Sequence, residues 1–164
     1  MTTLPLKGGV DELYTQPANL LRRAHQISAS LFHDELGKQI TPVQYMILHV
    51  LADNPGIDQV TLAGLVAIDT STAASVAIRL EEKGLLKRNI YPANRRQRRL
   101  FLTDEGAALQ RTSAAGIARM HRRLFEGFSQ QETRSFVALL QKLVDINNSL
   151  SRAPLARGKA ADDV

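Results

Sequence analysis

At 164 residues the chain is long enough for one compact core and too short for two large independent domains. Its 44% hydrophobic and 23% charged residues are those of a folded globular protein, and the absence of cysteine excludes disulfides, thiolate metal sites and thiol redox sensing. The formal charge of +5 is concentrated in one place: Lys87, Arg88, Arg95, Arg96, Arg98 and Arg99 follow one another without an acidic residue, and the rest of the chain is close to neutral. That distribution suits a surface docking on a polyanion; a solvated charged loop is the alternative.

Residues 1–14 lack the apolar centre of a signal peptide and are read as a flexible terminus. No segment approaches the ~20 apolar residues that cross a bilayer, so a cytoplasmic location and no membrane partner are expected. Thr15 to Leu36 is predicted helical, with Pro17 in its first turn, Leu20, Ala24, Ile27 and Leu31 on one side and Gly37 as the stop. Thr41-Pro42-Val43-Gln44 is a capping box opening a second helix, which Asn54-Pro55-Gly56 ends. A short third helix runs from Gln59 to about Ala67 behind the cap Asp58.

Asp69-Thr70-Ser71-Thr72 supplies the side-chain oxygens of a helix start, and Gly84 stands where a left-handed residue ends that helix. Two short helices joined tightly make a helix-turn-helix pattern. Strands over Leu85–Tyr91 and Arg98–Thr103 then flank a turn at 92–97, giving a hairpin, or wing. Thr103 caps a long helix to about Phe125. Ser129-Gln130-Gln131-Glu132 opens another, with Phe136, Leu139, Leu140, Leu143 and Val144 in helical period. From Ser151 the sequence is polar and aperiodic, and 151–164 is read as a second flexible terminus.

This order of elements, with "RLEEKGLL" at Arg79–Leu86, a proline-arginine wing at Tyr91–Arg96 and the cap Leu102-Thr103, resembles the MarR family of bacterial regulators over about Leu20–Leu150. The fold class implied is mainly α with a small β-hairpin. A winged helix-turn-helix unit (40–102) is fused to a helical dimerisation layer (15–37 and 103–150), forming one unit over 15–150. The resemblance implies a homodimer on double-stranded, pseudo-palindromic operator DNA, more often a repressor, with recognition helices in adjacent major grooves and a wing arginine in the flanking minor groove.

Within that frame the DNA-contacting candidates on the recognition helix are Thr70, Ser71, Thr72, Ala74, Ser75 and Arg79. Short hydroxyls reach base edges or phosphates, open amides at the helix start favour a phosphate, and small alanines admit close approach, although at least one of Ala73, Ala74 and Ala77 is expected to face the core. Arg79 suits a backbone phosphate. In the wing the candidates are Asn94, Arg95, Arg96 and Arg98. Arg96 matches the minor-groove arginine, Asn94 departs from the family's acidic residue, and Ser75 departs from an arginine common among relatives, so readout partly through DNA shape is expected.

The effector candidates are a stripe on the first helix, Leu21, His25, Ser28 and Phe32, with Arg22 nearby, and Tyr45 and His49 on the next. Such a crevice suits a small aromatic carboxylate, or the acyl part of an aromatic coenzyme A thioester; satisfied polar groups at a helix interface are the alternative. His25, His33, His49 and His121 show no metal-ligand spacing, and neither a phosphate loop nor a nucleophile elbow is present, so no metal, cofactor or enzymatic activity is expected. The competing function is a winged-helix module that binds an acidic protein partner.

Overall fold

The computed structural model describes residues 10–91 and 94–156; the side chains of 11, 12, 91 and 94–97 lie outside that description. The elements are α1 (Val10–Thr15), α2 (Pro17–Leu36), α3 (Pro42–Asp53), α4 (Gln59–Val66), α5 (Thr70–Glu82), β1 (Leu86–Tyr91), β2 (Asn94–Leu102), α6 (Asp104–Leu124) and α7 (Gln130–Ile146). A 3₁₀ turn, Asn148–Leu150, follows α7. Among the described residues no single helix is long and apolar enough to cross a membrane.

Four helix starts are set by local side chains, as their spacing predicts. Thr41 and Gln44 cap α3 reciprocally, Asp58 accepts from the amides of Val60 and Thr61, Thr103 accepts from Gly106, and Ser129 and Glu132 form the box of α7. The axes of α4 and α5 meet at 106°. The chain makes that corner with Ala67, the expected last residue of the helix, in the left-handed region at φ 54°. Gly84, at φ 70°, ends α5 and turns the chain into β1.

Ile47, Leu48 and Leu51 of α3, Leu62 and Val66 of α4, Ala77 and Leu80 of α5, and Leu86 and Leu100 of the hairpin form one buried core. Helix α5 is thus held from behind by α4 and the hairpin. A second cluster, Phe32, Ile40 and Met120, joins α2 to α6. There Glu35 accepts from Arg119 (2.7 Å) and Arg123 (2.9 Å), while Asp34 accepts from Arg123 (3.1 Å).

Three expectations differ from what is observed. Val10–Thr15 is helical rather than a loose end. The second strand begins at Asn94, so most of the expected 92–97 turn is extended backbone; the antiparallel register shifts between Ile90 and Tyr91. Polar residues hid this strand because ladder hydrogen bonds need no apolar side chain on an edge.

The C-terminal segment also departs from the expected tail as far as Ala156. Asn148 donates to the Leu155 carbonyl (3.0 Å) and accepts from its amide (2.8 Å), and the Ala156 amide donates to Gly64 O on α4 (2.9 Å). A Cβ at Gly64 would stand 2.9 Å from that of Ala156. Gly64→Ala should therefore unseat the segment, while helix propensity gives α4 back about 1 kcal/mol. Hydrogen exchange should show the Leu155 and Ala156 amides losing protection with little change in melting temperature; protection equal to wild type would contradict the contact.

Candidate nucleic-acid interface and adjoining cavity

The outward face of α5 follows its helical period. Thr70, Ser71, Ser75, Ile78 and Arg79 are exposed, Thr72 and Ala74 are half-buried, and Ala73, Ala77 and Leu80 are buried. Of the three alanines considered for close approach, only Ala74 is not part of the core. The Arg79 guanidinium meets no acceptor among the described residues.

The start of α5 is not an open anion site. The Asp69 carboxylate accepts from the Thr72 amide (2.8 Å), from Thr72 Oγ1 (2.6 Å) and from Ser71 Oγ. These bonds, the Ser71 hydroxyl first and then the Thr72 hydroxyl and amide, hold the carboxyl well below the usual carboxylate range. A fixed negative charge therefore occupies the helix start where a phosphate was expected. Ser75 Oγ donates to the Ser71 carbonyl (2.9 Å). With their hydrogens turned inward, Ser71, Thr72 and Ser75 present oxygen lone pairs outward, which match donors such as the cytosine and adenine exocyclic amines.

The basic run divides by role. Arg88 donates to Glu81 through Nε (2.7 Å) and holds it below the usual carboxylate range, fixing β1 to α5. Arg99 donates to the Gly56 carbonyl (2.9 Å), tying β2 to the α3–α4 turn. Lys87 and Arg98 are exposed. The side chains of Asn94, Arg95 and Arg96 fall outside the described residues.

Between α2, α3 and α6 lies a cavity of about 500 Å³ whose lining includes His25, Ser28, Phe32, Tyr45 and His49. The structure thus brings five of the six sequence-derived candidates together. Arg22 is apart from them, donating to Gln26 (2.9 Å) and Asn19 (2.9 Å) along its own helix. Leu21, expected in the same stripe, lines a different cleft. An aromatic set runs up the wall: Phe32 meets Tyr45 edge-on at 6.2 Å between centroids, and Tyr45 stacks on His49 at 6.0 Å. Sequence reasoning missed the α6 wall, Ile117, Met120 and His121, because two apolar residues three apart read as core; the i, i+4 pair Ile117 and His121 was the available signal.

On the other side of α2 an open apolar cleft of about 600 Å³ is lined by Pro17, Leu20, Leu21, Ala24 and Ile27 and, across it, by Phe136, Leu139, Leu140 and Leu143 of α7. No residue of α7 is buried.

Comparison with known proteins matches these features to one group. The MarR family pattern covers residues 40–97, from the start of α3 into the hairpin. The transcriptional regulator HosA of Escherichia coli is 30% identical over 128 residues, which are 76% of this chain and 92% of that protein. Among solved structures, the PcaV transcriptional regulator from Streptomyces coelicolor, in complex with its natural ligand, superposes with a TM-score of 0.77 at 32% identity, covering 88% of this chain and 98% of that one. BpsR of Bordetella bronchiseptica, whose DNA binding is regulated by 6-hydroxynicotinic acid, gives a TM-score of 0.75 at 30% identity, covering 80% and 94%. With its 106° helix pair, two-stranded wing and long flanking helices, the chain belongs to the MarR family of transcriptional regulators.

Proposed function

We propose that the chain is a homodimeric repressor that grips a two-half-site operator through α5 and the hairpin and releases it when a small aromatic acid fills the cavity. The observation that carries this reading is the composition of the cavity wall: α3 belongs to the winged unit, while α2 and α6 carry the helical layer. A ligand held there touches both units, and one that prefers a given angle between them shifts the DNA-binding equilibrium. BpsR, similar over most of its length, responds to an aromatic acid, which supports this ligand class.

The second copy is proposed as the occupant of the apolar cleft between α2 and α7, so that α2, α6 and α7 form the dimer layer. Two recognition helices then lie about 34–36 Å apart, one turn of DNA. Arg79 is assigned to a backbone phosphate, Arg96 to the minor groove, and Thr72 with its neighbours Thr70, Ser71, Ala74 and Ser75 to base edges, with Asn94, Arg95 and Arg98 supporting the wing.

The test is fluorescence anisotropy with duplexes from beside the protein's own gene. Arg79→Ala should weaken every sequence and reduce the slope of log affinity against log salt by about one, whereas Thr72→Ala should change base preference. Addition of 6-hydroxynicotinate or hydroxybenzoates should release the wild-type complex. Equal losses for both variants on all sequences, or no release by any aromatic acid or its thioester, would refute the corresponding half of the reading.

A further inference from the structure

We propose that this cavity neutralises a ligand carboxylate with imidazole rather than guanidinium, so that an aromatic carboxylate binds with uptake of about one proton whereas its neutral amide or thioester binds without one. The proposal rests on the reading of the cavity as the effector site. Its basis is the rim: His25 from α2, His49 from α3 and His121 from α6, each exposed, stand over a floor of Phe32, Tyr45 and Met120.

Among the described residues no lysine, arginine, aspartate or glutamate lines the cavity, and Tyr45 is the one other titratable side chain in its wall. Several charged groups on the surrounding helices are engaged or face elsewhere, while Arg122 of α6 stands exposed beside His121 and Asp53 closes α3. On α2, Arg22 is held by Gln26 and Asn19, Arg23 lines the apolar cleft, and His33 meets the Gly37 carbonyl through Nδ1 (3.3 Å). On α6, Arg119 and Arg123 are taken by Glu35 and Asp34 of α2, and Arg111 lines a separate crevice beside Phe101. The three histidines do not form a group that could hold a metal ion.

A carboxylate lowered onto an apolar floor loses water and must recover that loss from donors or a cation. Among the described residues of this wall imidazole is the only side chain able to become a cation, and once charged it donates from both ring nitrogens. His49 is already equipped for either state. The Gln110 amide nitrogen donates to its Nδ1 (3.0 Å), and a half-turn of the amide presents the oxygen to a protonated Nδ1 instead.

A bound carboxylate favours the protonated ring, so affinity for an acid is highest at low pH and falls as pH rises past neutrality. The limiting slope is about tenfold per pH unit for one proton. A coenzyme A thioester lacks the carboxylate and would show no such slope, which separates the two ligand classes left open by the cavity's size.

The experiment is calorimetric titration of the full-length protein with 4-hydroxybenzoate, 6-hydroxynicotinate and 4-hydroxybenzamide at pH 8, in phosphate and in Tris, repeated from pH 7.5 to 8.5. For the acids, the heat should differ between buffers by the difference in ionisation enthalpy times about one proton, and Kd should rise close to tenfold across that range. The amide should show neither effect. Replacement of all three histidines by glutamine should abolish the uptake; the wild-type buffer comparison stands alone should that variant not fold. Acids that bind with no proton uptake, or uptake that persists in the glutamine variant, would overturn the imidazole assignment and leave the effector site standing. Failure of acids and amide alike to bind would overturn the underlying reading, and this proposal with it.

Discussion

A protein carrying Leu139→Glu and Leu143→Glu is expected to be a folded monomer with operator affinity lowered by at least about a hundredfold. Both side chains lie on α7, 67% and 43% exposed, and α7 contributes nothing to either buried cluster. The exchange therefore leaves the core of one subunit intact. In a dimer each leucine would become buried, gaining about 1.5–3 kcal/mol, and each appears twice across a two-fold interface. Glutamate removes that gain and adds the cost of burying a charge. Operator affinity falls because two linked half-site contacts become independent ones, a change on the order of 10²–10⁴. Light scattering after size exclusion gives the mass and anisotropy gives the affinity. A dimer, or a monomer with wild-type affinity for a two-half-site duplex, would show that the face serves another purpose.

Gly106→Ala is expected to destabilise the fold by about 3 kcal/mol, lowering the melting temperature by roughly 6–12 °C for a chain of this length. A Cβ at this first-turn position of α6 would stand 1.9 Å from the Leu85 carbonyl oxygen and 2.9 Å from its carbon. Neither partner can retreat cheaply. Leu85 O accepts from the Thr103 amide (3.2 Å), and Thr103 Oγ1 donates to Gly84 O (2.7 Å), so strand and helix start are sewn together around the contact. The helix must lift away from the α5–β1 turn, and the loss should appear in thermal denaturation. A melting temperature within a degree or two of wild type would mean that the approach is looser than drawn.

Features of this chain that were legible in advance are those written within one helical turn. The caps at Thr41, Asp58, Thr103 and Ser129 need only a side chain and an amide two or three residues on, and the stripe His25, Ser28, Phe32 meets Tyr45 and His49 because each set shares a helix face. What was hidden depends on distant partners. Arg99 and Gly56 are 43 positions apart, and the Gly106 contact involves the carbonyl of Leu85, 21 positions earlier in the α5–β1 turn. Charge counting could not divide the wing's arginines into those that fasten it and those left outside, since Glu81 was no closer in sequence to Arg88 than to other candidates for pairing. The segment to Ala156 escaped notice because its anchors are backbone groups, which every residue carries.

One helix connects all of these parts. With 21 residues, α6 is about 31 Å long. Its first turn is lodged under the α5–β1 corner, its C-terminal half forms the cavity wall at Ile117 and Met120, and Arg119 and Arg123 clamp it to α2. If that clamp serves as a fulcrum, the arm from Arg119 back to Gly106 is about 20 Å. In the proposed dimer, rocking by about 5° would carry the corner through roughly 1.7 Å, and two arms rocking in opposite senses would change the gap between the α5 helices by about 3.4 Å, the rise of one base pair. In that dimer a displacement too small to disturb either core would be geared into a full step of mismatch on the DNA.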